Sequence, residues 1–300
     1  MIRLSDYLKE TFGTKLYRLS LQSGCSCPNR DGRLGTGGCT FCSAGGSGEF
    51  AAPLLPVRDQ IALAKEKVDG KFPKRIAPQD RRYIAYFQSY TNTYGNPVRL
   101  EALYRDTISL PEIAVLALAT RPDCLPDEIM QMLVRLNQVK PVWVELGLQT
   151  IHEQTARRLG RGYRLPVFED AVRRLKEAGL TVIVHIIFSL PGESREDMLE
   201  TVRYLSQMQP RPDGIKIQML QILKGTQLAR EYETDPFPLL SMDQYCSLTA
   251  QALAMLPEDM VVHRMTGDPP RRLLIAPAWC TDKKRVLNTI NAELRRRGIT

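Results

Sequence analysis

Apolar strand-like segments and amphipathic helix-like segments alternate along most of this chain, and this order restricts its fold. One apolar segment spans residues 17–22, and five more, about thirty residues apart, span residues 82–90, 113–120, 142–150, 181–190 and 214–220. Helical periodicity fills intervals such as residues 57–70, 127–138 and 168–179. Strands that are apolar on both faces and alternate with helices predict a parallel sheet covered by helices. Six such units predict a partial or closed (β/α) barrel, or a doubly wound sheet.

Polar residues fall within or just after the C-terminal parts of five of these segments. They are Gln88, Ser89, Thr120, Arg121, Glu145, Gln149, His185, Ser189, Lys216 and Gln218. Any one of them could simply be a strand end turning into solvent. A barrel, however, places its reacting groups at this end of its strands. The repetition in five strands therefore favours a shared pocket and an α/β fold with a partial (β/α)6 barrel of parallel strands.

The alternation weakens after Gln221, where helices are expected at residues 242–255 and near residues 282–297. No linker, repeat or low-complexity tract interrupts the chain. We therefore expect a core at residues 1–225, with a special loop at residues 24–50, and a short C-terminal extension at residues 226–300 that packs on the barrel.

That loop holds four of the seven cysteines among many glycines. Cys27, Cys39 and Cys42 form a C-x11-C-x2-C pattern, and Cys25 stands two residues before the first. Disulfides are disfavoured because the cysteine number is odd and no export signal is visible. Zinc is disfavoured because Cys25 and Cys27 would point to opposite sides of an extended chain. Three thiolates suit a [4Fe–4S] cube that keeps one iron open for a ligand, and glycines let the backbone wrap it.

Composition and charge limit the kinds of binding partner and the cellular compartment to be expected. No apolar run approaches the ~20 residues that span a bilayer, so we expect no membrane association and a cytoplasmic protein. The formal net charge is +8 and the isoelectric point is near 9.2, which permits an anionic partner such as nucleic acid. Basic stretches at residues 263–272 and 282–298 could contact phosphates or form solvated helix faces.

An ordered set of motifs resembles one family across nearly the whole chain. The set is CPNRDGRLGTGGCTFC, YFQSYTNTY, ATRPDCLPD, ELGLQT, LGRGY, SLPGE and GIKIQMLQILKGT. It is similar to the YhcC/YtqA-type radical S-adenosylmethionine (SAM) proteins, relatives of the radical-SAM domain of the Elongator catalytic subunit. The resemblance implies that Cys27, Cys39 and Cys42 hold a [4Fe–4S] cluster whose open iron binds SAM. An electron from a donor such as flavodoxin or ferredoxin would cleave SAM to a radical that abstracts a substrate hydrogen.

The resemblance also implies cofactor-binding positions. Phe41 would lie near adenine, although it could equally anchor the loop. Gln88 and Ser89 replace the glycine-glycine-glutamate that usually meets the methionine amine. Glu145 and Gln149 would contact ribose or methionine; either the strand bulges at Gly147 so that they share a face, or one of them lies in the turn. Arg161 would contact the methionine carboxylate. Ser189, the first residue of the SLPGE element, would lie beside adenine.

Other candidates receive weaker roles. Cys124, Cys246 and Cys280 are expected to be buried small residues, and His185 a packed one. His263 and Arg264 match a family motif and are placed near the substrate mouth. By analogy with the Elongator relative, the expected substrate is a tRNA base, at the C5 substituent of wobble uridine. The alternatives are a radical SAM enzyme acting on a peptide or small metabolite, and a non-catalytic iron–sulfur or zinc protein that binds nucleic acid.

Overall fold

A curled sheet of eight parallel strands forms the centre of the protein, in a computed structural model that describes residues 1–299. The sheet strands are β1 Ile2–Arg3, β2 Tyr17–Leu21, β3 Tyr83–Phe87, β4 Ile113–Thr120, β5 Val142–Gln149, β6 Thr181–Phe188, β7 Gly214–Met219 and β9 Val261–Arg264. Their order is β1-β9-β7-β6-β5-β4-β3-β2. The predicted α/β partial barrel is confirmed. The six expected strands are β2 to β7, and the short β1 and β9 extend the sheet beyond them.

Helices cover the outer face and one end of this half-barrel. They are α1 Leu4–Phe12, α2 Val57–Glu66, α3 Pro97–Ser109, α4 Asp127–Asn137, α5 Glu153–Arg158, α6 Leu165–Glu177, α7 Arg195–Gln207, α8 Gln227–Thr234, α9 Met242–Ala254 and α10 Lys283–Arg296. Serine caps begin two of them: Ser194 and Asp197 form a capping box at α7, and Ser241 and Gln244 form one at α9. None of the helices in residues 1–299 combines the length and apolarity that crossing a bilayer requires.

The C-terminal segment is joined closely to the sheet. Its strand β9 pairs in parallel with β7 and with the N-terminal β1. A separate antiparallel pair, β8 (Ile222–Leu223) and β10 (Leu274–Ala276), links it to the end of β7. The boundary predicted near residue 225 stays a prediction.

Alternation of side chains along the strands divides the inside of the barrel into layers. The lowest layer is apolar, and α1 closes it from below by packing Leu8 against residues such as Ile84, Trp143 and Ile183. Two residues further along, β5 carries Glu145 and β6 carries His185, so the next layer is polar. The layer above contains the strand ends, where the loops meet. The strand pattern thus puts charged groups between an apolar floor and an open mouth.

Candidate active site

A cavity of about 1330 Å³ opens at the C-terminal ends of the strands. The loop of residues 24–50 forms one wall, inward-facing residues of the strands line the interior, and residues 268–273 of the C-terminal segment reach the mouth. Cys27, Cys39 and Cys42 all line this space and are free thiols. The loop therefore presents three cysteines to the place where a barrel keeps its chemistry.

Side chains and backbone of the loop hold its cysteines in place. Asn29 donates from Nδ2 to the carbonyl of Gly160 at 2.8 Å and to Cys39 Sγ at 3.2 Å. Arg30 donates to the carbonyls of Cys42 at 2.9 Å and Ser43 at 2.6 Å. Gly162 has a φ of +81°, and a Cβ there would lie 2.8 Å from Asn29 Oδ1. The LGRGY turn thus positions the loop through Asn29.

The glycine-rich tail of the loop packs directly on the end of β3. A Cβ at Gly48 would overlap the Ser89 hydroxyl and lie 3.0 Å from Ser89 Cα. Gln88 donates from Nε2 to the carbonyl of Ser47 at 2.5 Å, and the Tyr90 hydroxyl donates to Ala44 at 2.6 Å. In this structure Gln88 and Ser89, the residues predicted to contact SAM, contact the tail of the loop at Ser47 and Gly48. Their contact with SAM stays a prediction.

The donor set fits an iron–sulfur cluster better than a single zinc ion. A tetrahedral zinc with Zn–S bonds of ~2.3 Å brings its sulfurs within about 4 Å of each other. In residues 1–299, the sulfurs of Cys27, Cys39 and Cys42 do not all lie within 4.8 Å of one another. Cys25 is buried in the outer core and receives a hydrogen bond from Arg99 at 3.4 Å. With Cys25 set apart, three thiols remain, which suits a cube that keeps one iron open rather than a zinc site of four thiolates.

Metal binding at these thiols is coupled to proton release. Desolvation, assisted by the neighbouring Cys42, raises the pKa of the Cys39 thiol to about 11. Burial likewise raises the pKa of Cys42, against the effect of Arg30. A metal ligand must be the thiolate, so cluster assembly would release these protons.

Arg161 lies in the cavity wall, and its guanidinium makes four contacts within the protein. It donates to the carbonyls of Tyr163 at 3.0 Å, Leu148 at 3.2 Å and Thr150 at 2.7 Å, and it pairs with Glu153 at 3.4 Å. It is 2% exposed. In this structure Arg161 ties the LGRGY turn to the end of β5, and its predicted contact with the methionine carboxylate stays a prediction.

The two predicted residues of β5 reach the same cavity because residues four apart lie on the same face of a strand. The register with β6 shifts between Gly147 and Gln149, and Gln149 has a φ of +65°. Glu145, Gly147 and Gln149 all line the cavity. Gln149 lies at the strand end, and Glu145 lies four residues earlier. The irregularity after Gly147 is present, but the shared face does not depend on it.

Glu145 is the centre of a buried charge cluster. Its carboxylate accepts from His185 Nε2 at 2.8 Å and pairs with Lys216 and, at 3.4 Å, with Arg18. Glu145 and Lys216 are each 1% exposed. Burial opposes ionisation, but the Lys216 and Arg18 cations outweigh it and hold the pKa of Glu145 well below its usual range. The predicted ribose or methionine contact of Glu145 stays a prediction.

Of the other predicted cofactor-binding residues, one lines the wall of the cavity and one is buried in the protein. Phe41 lines the cavity and also packs on an apolar cluster with Leu159 and Leu228. Ser189 is buried, and its Oγ accepts from the backbone N–H of Leu240 at 3.0 Å. Three further cysteines are buried, as expected: Cys124, Cys246 and Cys280.

Sequence reasoning missed two functional candidates. Arg18 of β2 enters the charge cluster, but a lone arginine in a short strand gives no signal by itself. Tyr86 of β3 lies under it, with the Lys216 ammonium 4.5 Å and the Arg18 guanidinium 5.2 Å from the ring centroid. Alternation along β3, two residues before Gln88, would have placed Tyr86 on the inner face.

Comparisons with known proteins agree with this geometry. Residues 30–205 match the Radical SAM superfamily, and residues 212–296 match the Radical_SAM C-terminal domain. Protein YtqA of Bacillus subtilis is 40% identical over 295 residues, which cover 98% of this chain and 89% of that protein. Protein YhcC of Escherichia coli is 32% identical over 293 residues, covering 97% and 91%.

More distant similarity reaches the Elongator proteins. Human Elongator complex protein 3 is 26% identical over 176 residues, which cover 58% of this chain and 31% of that protein. The solved structure of the archaeal Elp3 from Methanocaldococcus infernus aligns with a TM-score of 0.70 at 15% identity, covering 95% of this chain and 64% of that one. That structural likeness supports the fold. With two family matches and close relatives along its whole length, the chain belongs to the radical SAM superfamily and is an enzyme of the YtqA and YhcC group.

Proposed function

We propose that Cys27, Cys39 and Cys42 hold a [4Fe–4S] cluster at which SAM is cleaved, and that the reaction modifies a base of tRNA. The observation that carries the chemistry is the placement of three free thiols of one loop on the wall of a cavity at the strand ends. The family implies this cluster and SAM. An electron donor such as a flavodoxin or a ferredoxin would serve the reaction, in the cytoplasm.

The residues present fit these groups. When bound, the reduced cluster would supply the electron that cleaves SAM and so provides a radical for hydrogen abstraction. The protein's own residues would hold and orient the cluster and SAM and enclose them in the cavity. Asn29 and Arg30 fix the loop, Gln149 offers an amide at the strand end, and the apolar floor limits the entry of water.

The tRNA substrate is supported by charge at the cavity mouth. Arg271, Arg272 and Lys283 line the opening, and RNA-modifying enzymes commonly hold the backbone while one base enters a pocket. The resemblance to the Elongator catalytic subunit points to wobble uridine, at the substituent on C5.

The first experiment tests the cluster. Anaerobic reconstitution should give about four irons and four sulfides per chain, with a broad visible absorbance that reduction bleaches. Replacing Cys27, Cys39 or Cys42 by alanine should abolish it, because each thiolate holds one iron. Cys25→Ala is the matched control and should load fully. A colourless protein with stoichiometric zinc would contradict the proposal in favour of a zinc protein.

The second experiment tests the substrate. Nucleosides of total tRNA should be compared by mass spectrometry in cells that carry the gene, lack it, or express the Cys39→Ala variant. We expect wobble uridines to carry a different C5 substituent in the last two strains. Identical profiles in all three, with SAM cleavage intact in the purified protein, would leave the radical chemistry standing and assign it to a peptide or small metabolite.

A further inference from the structure

The charge cluster around Glu145 contains more positive than negative groups. Arg18 on β2 and Lys216 on β7 pair with one carboxylate, Glu145 on β5, and Arg264 on β9 lies beside Lys216 and lines the same cavity as Arg18. The other acidic residues that line the cavity belong to its loops and are engaged there. Glu49 accepts from Ser43, and Asp268 pairs with Lys283 at 2.6 Å.

The two histidines of the cluster do not change this balance. Burial and the Lys216 charge lower the pKa of His185 to about 4, and burial and Arg18 lower that of His263 well below its usual range. Both are therefore neutral at neutral pH. His263 accepts from Arg18 through Nδ1 at 3.1 Å, and His185 donates to Glu145.

Part of the positive charge is left without a partner. In residues 1–299, the half-buried Arg264 guanidinium lines the cavity and makes no hydrogen bond or ion pair, while Arg18 Nε is buried and also unpaired. An N–H donor that is shielded from water and has no partner costs free energy, and an anion in the cavity would offset that cost. Burial and Arg18 likewise depress the pKa of Lys216, which an added negative charge would relieve.

We propose that Arg18 and Arg264, which line the cavity, bind an anionic group of the substrate, a carboxylate or a phosphate, below the level of the cluster cysteines, with the buried Lys216 beside them. Guanidinium groups suit either anion through paired N–H donors. Arg18 and Lys216 lie three residues before the ends of β2 and β7, and Arg264 is the last residue of β9. The apolar layer sealed by α1 lies beneath them. An anion held here would anchor the part of the substrate that enters the barrel. As a statement about the substrate, this rests on the proposed function.

Binding of small anions to the anaerobically reconstituted protein tests the site without turnover. Sodium acetate, inorganic phosphate and neutral acetamide should be titrated at constant ionic strength, following the thermal midpoint and the fluorescence of Trp143 in a Trp279→Phe background. Trp143 reports locally because its ring lies 5.1 Å from that of His263. We expect saturable binding of at least one anion and none of acetamide. Acetate alone would identify a carboxylate, and phosphate alone a phosphate.

Substitutions then locate the site. Arg264→Gln, which breaks no contact, and Arg18→Gln, which leaves Glu145 its Lys216 and His185 partners, should each weaken anion binding about tenfold or more, since hydrogen bonds to charged groups contribute ~1.5–3 kcal/mol. Arg230→Gln, an exposed arginine outside the cavity, is the matched control. No saturation by either anion, or equal weakening by the control, would overturn the proposal.

SAM itself carries a carboxylate and must be tested separately. We expect Arg18→Gln and Arg264→Gln to leave SAM affinity within about twofold of the parent. A loss of SAM affinity as large as the loss of anion affinity would overturn the proposal, because the layer would then hold the methionine carboxylate. Unchanged tRNA nucleosides in the deletion strain, with anion binding intact, would reject the tRNA substrate and leave the anion site standing.

Discussion

Single residues in this protein have partners that depend on their layer in the barrel. His185 is two residues above the apolar Ile183 along β6 and donates to the buried carboxylate of Glu145. Its neutral form is preferred in the folded state because burial disfavours the charged ring and because protonation would place a further cation beside Lys216. Glu145 has the opposite preference, since its ionised form is stabilised by the same cations. In the folded protein His185 is therefore neutral and Glu145 is ionised, so neither residue adds a positive charge to the layer.

The depressed pKa of His185 predicts a pH-dependent stability. Its pKa falls from the ordinary 6.5 to about 4 in the folded protein, so the unfolded chain takes up the proton first as pH falls. The stabilisation is complete above pH 6.5 and is lost progressively down to about pH 4. From pH 7.5 to pH 5.5 the loss is about 1 kcal/mol by linkage.

Chemical denaturation of the parent and of His185→Gln at these two pH values measures this effect. The glutamine amide can still donate to Glu145, and His263 titrates in both proteins. Between pH 7.5 and pH 5.5, the free energy of unfolding of the parent should therefore fall by about 1 kcal/mol more than that of the variant. A constant difference between parent and variant would contradict the prediction, because it would mean that His185 has the same pKa in the folded and unfolded states.

At the scale of elements, the site depends on how the cluster loop meets β3 and the LGRGY turn. The loop is anchored by Asn29 at one side and by Gly48, pressed on Ser89, at the other. Residues 88–90 bind the loop tail through both side chains and backbone, with Tyr90 N–H donating to Gly46 at 2.9 Å. The fit leaves no room for a side chain at Gly48.

Gly48→Ala should therefore disturb the loop and its metal loading. The new methyl group overlaps the Ser89 hydroxyl, and overpacking of this kind costs about 1–3 kcal/mol. Iron content and visible absorbance after reconstitution should fall. Gly37→Ala is the control, since a Cβ there meets nothing within 4 Å, and Ser89→Gly in the Gly48→Ala background should restore part of the loading. Equal iron in both single variants would contradict this account.

At the scale of the whole molecule, the C-terminal segment completes the cavity that the barrel begins. Its strand β9 brings Arg264 beside Lys216 on β7, and the chain after β9 carries Arg271 and Arg272 to the mouth. The opposite end of the barrel is closed by α1. The molecule thus carries a basic rim above the cationic layer at the C-terminal ends of the strands.

Reversing charges at the rim should weaken tRNA binding. Glutamate at Arg271, Arg272, Lys283 and Lys284 removes phosphate contacts, so affinity should fall and its salt dependence should become shallower by ~0.7–0.9 per lost contact. Cluster content and SAM cleavage without substrate should stay unchanged. The same reversal of four exposed residues at the other end, Lys9, Lys15, Lys74 and Arg75, serves as the control. Equal loss in both sets would mean that the rim has no special role.

The sequence alone determined the strand–helix order and the position of the cysteine loop, because apolar periodicity and Cys–Gly spacing are local properties of the chain. The chain's motifs likewise indicated its family. Only the tertiary structure decided which polar side chains meet, since Arg18, Glu145, Lys216 and Arg264 are far apart in sequence. Sheet register and curl bring them into one layer. It also decided that Arg161 is satisfied by backbone carbonyls, because the turn of the LGRGY segment against β5 sets the direction of its side chain.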